Sequence, residues 1–438
     1  MQAPNATAFA LLFSAWLALA APAQASPLGA DGGRIVGPAT RGENPQEREH
    51  RAGIQAQIKG DIGAAKSHFE AALRIDAKFA PALVGLAGVA QAQQQPLQVE
   101  QFLARAEQAA PKAPEVHLAW GRHFLSSRQF PRAEAAFIKA RELAPRTMPP
   151  LLELGEVYLR MPGRQADALR MFRDAVAIDA KSPFAQYGLG IAAAAAGQRA
   201  QAFGALEQAA QLAPKDPAPP RAIGRLHLET GDLDKALAAF DAGLARHSTF
   251  VPLMLDRSDA LARLARWDDA TQQLDAAAKL APRQAEIALK LGDVHQGVGR
   301  WASAETQYLR AIELAPNNPL AYNNLAWMTV ARKGDVKKAR EWALKAVSLS
   351  PGSSPLHDTL GWAARADGNL AAAQTSLQRA IEIEPRVAAY HVHLGTVQAE
   401  LGQATAARAS LHRAIEIEPK GAQSDEARRL LKTLPGGG

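Results

Sequence analysis

The sequence predicts an all-α solenoid of about eleven helical hairpins closed by a C-terminal capping helix. Three observations carry this. Residues 46–421 repeat with a period of 34, the spacing of Pro385 and Pro419 in the matching runs Ala380–Pro385 and Ala414–Pro419. Apolar residues make up 47% of the chain but aromatics only 6%, with alanine supplying much of the balance, as suits close-packed helices. Sustained apolar/polar alternation and Asn-Gly turns, the marks of strands and hairpins, are missing. At 438 residues the chain is also too long for one ordinary core.

The first segment is an expected export signal. Residues 1–25 contain no Lys, Arg, Asp or Glu, and Phe9 to Ala21 is an apolar run of 13 residues. That is short of the roughly 20 residues a stable membrane-spanning helix needs. Ala23-Gln24-Ala25 before Ser26 fits the small-x-small cleavage rule, so cleavage near Ala25 and a periplasmic or secreted product are expected, with no stable membrane span. The n-region carries only the terminal amine as its positive charge. Residues 26–45, rich in Gly and Pro, read as a flexible leader.

Eleven units then begin at Gln46, Ala80, Pro114, Met148, Pro183, Pro217, Val251, Ala285, Pro319, Ser354 and Ala388. Two of them carry one extra residue, at Met161–Arg164 and Arg332–Asp335, where a turn tolerates it. A small residue at position 8, such as Gly53, Gly155 or Gly292, lets two helices cross closely. Glycine at position 15 (Gly60, Gly197, Gly231, Gly299, Gly368, Gly402) caps the first helix. Positions 20, 24 and 27 form one stripe on the second helix, small at 20 and 27 and large at 24 (Phe69, Phe172, Tyr308). Proline near position 32 stops that helix. Val99 in unit two and Arg257 with Ser258 in unit seven mark the units expected to pack least well. After Pro419, Ser424 is expected to N-cap a closing helix over 422–434, with Ala427, Leu430, Leu431 and Leu434 as its apolar stripe, followed by a tail at 435–438.

In period and marker positions this pattern resembles the tetratricopeptide repeat (TPR) family over residues 46–421. The resemblance implies a right-handed α-solenoid whose first helices line a concave surface through positions 2, 5, 6, 9, 12 and 13. It also implies a scaffold that holds a partner protein or peptide. The Lys, Asn and Arg set with which chaperone adaptors of the family grip a C-terminal carboxylate is not reproduced.

Composition narrows the function. The chain has no cysteine, which excludes disulfides, thiolate metal sites, cysteine nucleophiles and acyl-cysteine anchoring. The net charge of +7 and pI near 9.6 invite a nucleic-acid reading. The basic residues alternate with acidic ones, however, so a solvated surface is expected and no nucleic-acid partner. There is no Lys-Ser/Thr phosphate loop and no His-Glu-x-x-His, so no cofactor, metal or catalytic group is assigned. Gly188 and Gly190 fall within a first helix as packing glycines. His391 and His393 point about 200° apart on a helix and cannot share a metal. His117, His123, His227, His295 and His357 read as isolated core or surface histidines.

The candidate site is a pair of indoles. Trp327 and Trp362 both occupy position 9 of consecutive units, with Asn323 and Asp358 at position 5 one turn earlier, and Asn324 and His357 as secondary contacts. Tryptophan is enriched at interface hot spots, where truncation costs roughly 2 kcal/mol or more; packing between adjacent hairpins is the competing role. Trp120, Trp267, Trp301 and Trp342 fall at packing positions. Four functions fit: an exported scaffold for envelope, secretion or exopolysaccharide assembly, a cytoplasmic adaptor, a polysaccharide-binding solenoid, or the recognition subunit of an enzyme whose catalytic domain is a separate chain.

Overall fold

The computed structural model describes residues 44–434, and among them every regular element is a helix, twenty-three in all. They fall into two compact units, one ending at His247 and the other beginning at Ser248. The N-terminal unit holds six hairpins: α1 (Pro45–Ile58) with α2 (Ile62–Ile75), α3 (Ala80–Ala92) with α4 (Pro96–Ala109), α5 (Pro114–Ser126) with α6 (Phe130–Leu143), α7 (Pro149–Arg160) with α8 (Gln165–Ile178), α9 (Pro183–Ala195) with α10 (Arg199–Leu212), and α11 (Ala218–Thr230) with α12 (Leu233–Leu244). The C-terminal unit holds five: α13 (Val251–Arg263) with α14 (Trp267–Leu280), α15 (Ala285–Gly297) with α16 (Trp301–Leu314), α17 (Pro319–Ala331) with α18 (Val336–Leu349), α19 (Ser354–Ala366) with α20 (Leu370–Ile383), and α21 (Ala388–Glu400) with α22 (Ala404–Ile417). A last helix, α23 (Ala422–Thr433), follows them. The expected signal at 1–25, most of the leader and the tail at 435–438 lie outside the described residues. Pro45, assigned to the leader, instead opens α1, and the Glu47 carboxylate accepts the Asn44 amide at 3.2 Å.

Each hairpin turns on one left-handed residue. Gly60, Gly163, Gly197, Gly231, Gly299, Gly368 and Gly402 take φ between +72° and +80°, and Gln94, Arg128, Ala265 and Lys333 take φ between +53° and +57°. The conformation is therefore fixed by the turn, and four side chains endure it. A left-handed residue bearing a Cβ costs roughly 1–2 kcal/mol, partly offset by the greater chain entropy that glycine loses on folding. Gln94→Gly and Lys333→Gly should each stabilise their unit by roughly 0.5–1 kcal/mol, read as a higher urea midpoint.

Hairpins close by a trade of volume between positions 8 and 24. A Cβ built on Gly53, Gly121 or Gly224 would stand 2.6, 2.3 or 2.2 Å from a ring carbon of Phe69, Phe137 or Phe240. The ring lies where the methyl would be. Where position 8 carries a Cβ, position 24 holds no ring: Ala87 goes with Leu103, Ser258 with Leu274 and Ala326 with Ala343, all buried, although Leu206, Leu377 and Leu411 face glycine as well. The Ser258 hydroxyl also donates to the Leu255 carbonyl at 2.7 Å, so this buried polar group is satisfied.

Ser424 does not cap α23. It lies within the helix, is fully buried and donates to the Gly421 carbonyl at 3.0 Å, while Gly421 is the N-cap with φ +142°. A free backbone conformation before the first turn, available to glycine alone, took the place of a side-chain cap. Ala427 and Leu434 cover Val392, Leu411 and Ala414, closing the apolar end of the eleventh hairpin.

Candidate functional site

The first helices of the C-terminal unit carry a row of polar contacts in which position 9 of one hairpin meets position 6 of the next, 31 residues on. Lys290 Nζ on α15 donates to both carboxylate oxygens of Asp259 on α13 at 2.6 Å. Asn324 on α17 donates to Asp293 on α15 at 2.9 Å. Trp362 on α19 stacks on His393 of α21, ring centroids 4.4 Å apart and 29° from parallel. In the N-terminal unit Arg122 Nε makes such a rung to Glu153 Oε1 at 2.5 Å.

Burial sets the electrostatics of these rungs. Burial works against the Lys290 ammonium, but the attraction and hydrogen bonds of Asp259 overcome it and raise its pKa above the ordinary value. Asp293 is pushed up to about 6, chiefly by burial and against the hydrogen bonds of Tyr308 (2.8 Å) and Asn324. The folded state thus holds a proton that the unfolded chain, with its carboxyl near 3.8, gives up. Stability of this unit should fall as pH rises from about 4 to about 6. Asp293→Asn keeps both acceptor contacts and should flatten that part of the profile while gaining roughly 1–2 kcal/mol at pH 7, after allowance for solvent screening, as urea midpoints at pH 4 and 7 would show.

The six residues singled out from the sequence separate into distinct environments. Asn323 is 1% exposed, with its amide 3.4 Å from Asn324 Oδ1, so it belongs to the packing and not to a partner-facing surface. Position 5 is buried in other hairpins too, at Leu152, Leu255, Leu289 and Val392. Asn324 is drawn into the Asp293 network. His357 donates through Nε2 to the Pro351 carbonyl at 2.9 Å. That contact is systematic: His117 and His391, also at position 4, hold the carbonyls of Pro111 and Pro385 at 2.9 and 3.0 Å. These three histidines are therefore recurring ties to the proline that ends the preceding hairpin, so His117 and His357 are not the isolated residues expected. Trp327 is half-buried at the edge of a cluster that includes Ala288, Leu289, Ala304 and Tyr308.

Asp358 and Trp362 do come together, through a residue the sequence reading left aside. His393 donates from Nδ1 to Asp358 at 2.7 Å while its ring lies on the indole of Trp362. The Arg365 guanidinium stands 4.5 Å from the same indole centroid, and its Nε bonds both oxygens of Glu400 at 2.9 and 3.0 Å. The signal for His393, Asp293 and Lys290 was present as complementary pairs 31 residues apart; reading each position alone hid it.

Two tetratricopeptide repeat models match the chain, one over residues 118–183, 289–354 and 359–422 and the other over residues 56–120 and 193–255. The chain belongs to the tetratricopeptide repeat family. A TPR repeat-containing protein of Pseudomonas aeruginosa is 27% identical over 192 residues, covering 36% of this chain and 32% of that protein. The chain therefore spans about a third of the length of this TPR relative. Among solved TPR-like structures, yeast Tom70 superposes with a TM-score of 0.49 at 14% identity, over 88% of this chain and 94% of its own. A tetratricopeptide repeat protein of Parabacteroides merdae does so with a TM-score of 0.46 at 16% identity, over 56% and 96%. A TPR scaffold of this kind is suited to protein binding, and no helix among the described residues is long and apolar enough to cross a membrane.

Proposed function

We propose that this TPR chain is an exported scaffold that holds a partner protein or peptide against the first helices of its C-terminal unit, in the assembly of envelope, secretion or exopolysaccharide machinery. The observation that carries the binding site is Trp362, an indole at the surface of α19 flanked by an imidazole and a guanidinium. Large aromatics bordered by charge are the usual anchors of protein interfaces. The apolar run Phe9 to Ala21 and the Ala23-Gln24-Ala25 site support export. The bacterial relative supports a bacterial setting.

The test is a peptide array and a glycan array probed with the mature protein and with a Trp327→Ala/Trp362→Ala variant. Peptide retention lost in a variant of unchanged helical circular dichroism supports the reading. Retention on glycans instead favours a polysaccharide-binding solenoid, and loss of helicity assigns both indoles to packing. N-terminal sequencing of the mature protein decides between export and a cytoplasmic adaptor.

A further inference from the structure

The Trp362 anchor is not bare. His393 lies on its ring, and the same imidazole donates to Asp358 at 2.7 Å. Both contacts cross from the eleventh hairpin to the tenth, so one side chain both covers the indole and ties two repeats together. A cationic imidazole is attracted to an indole face and to a carboxylate; a neutral one keeps the hydrogen bond and loses the charge that strengthens both contacts.

We propose that His393 is a proton-operated cover on Trp362, closed over the indole when the imidazole is charged and surrendering it to a partner when neutral. This rests on the reading of Trp362 as a partner-facing residue. From α19 the charged groups facing the imidazole are Asp358, which favours its charge, and Arg365, which opposes it. Arg365 is itself engaged by Glu400 of α21, which tempers that opposition. From the other side of α21, α22 sets Leu411 against Gly395, an apolar contact. Burial pushes the His393 pKa down, and Asp358, by attraction and hydrogen bond, more than reverses it, leaving it above the ordinary 6.5. The contribution to stability is therefore complete below the unfolded value and lost as pH rises through the folded one.

The test follows the imidazole and the indole by NMR on the whole chain. His393 is assigned by its absence in His393→Gln, and the Trp362 indole N–H by its absence in Trp362→Phe. The expected midpoint lies above 6.5 and moves to lower pH in Asp358→Asn. After correction for intrinsic base catalysis, exchange of the Trp362 indole proton should accelerate across that midpoint and be pH-independent in His393→Gln. A midpoint at or below 6.5, or indole protection that does not change across it, overturns the cover. Neither readout needs a partner, so failure of the array experiment would overturn the binding reading and leave these results standing. The ring titration of the unmutated protein remains decisive if Asp358→Asn does not fold.

Discussion

Asp259→Ala is expected to lower the stability of the C-terminal unit by about 3–5 kcal/mol, the usual consequence of stranding one member of a buried ion pair. Lys290 is only 5% exposed, and both Asp259 oxygens receive its ammonium. Truncation leaves a cation enclosed between α13 and α15 with its main acceptor gone. The double variant Asp259→Leu/Lys290→Met should recover most of the loss, because replacing both charges by apolar groups removes the desolvation cost along with the attraction. Urea denaturation of the three variants checks this. Hydrogen exchange should show the damage first in α13 and α15, since each repeat of such an array is stabilised mainly by its neighbours. A single variant as stable as the double would mean that water reaches Lys290 freely.

Phe172→Ala should cost about 3–5 kcal/mol in the N-terminal unit, near the upper end for a single buried side chain. Its ring fills a gap between two glycines of different hairpins. A Cβ on Gly155 of α7 would be 2.5 Å from the ring, and one on Gly188 of α9 would be 2.1 Å from it. One side chain therefore joins its own hairpin to the next. Gly188→Ala alone should cost roughly 1–3 kcal/mol by overpacking. In a Phe172→Ala background the same methyl enters the vacated space, and its cost should fall to near zero or change sign. A double-mutant cycle measures this coupling; purely additive losses would show that the ring moves aside.

The fold was legible because its determinants are local and repeated. Position 8 against position 24 and a left-handed turn residue recur often enough for one sequence to serve as its own alignment. What the sequence concealed was compensation. Gln94, Arg128, Ala265 and Lys333 adopt glycine's conformation without announcing it, since the turn is imposed by the helices on either side. Gly421 took over the capping role that Ser424 advertised, because helix starts depend on chain direction as much as on side-chain oxygen. The site was half legible. Trp362 and Asp358 were visible by position, but Asn323 turned inward and His393 entered from the next repeat. The first follows the burial of position 5 in other hairpins, and the second depends on the next repeat, which no single repeat specifies.

The rungs also give the hairpins an order. At these junctions a first helix presents one chemistry backward at position 6 and another forward at position 9, as a domino carries two numbers. Exchange of the eighth and ninth hairpins would lay Asn324 against Asp259 and Lys290 against Trp327, both tolerable neighbours. Moving the eighth behind the third would set the buried Lys290 ammonium against the half-exposed Arg122 guanidinium, two like charges at one junction. Charge at these seams thus restricts which hairpins can stand side by side.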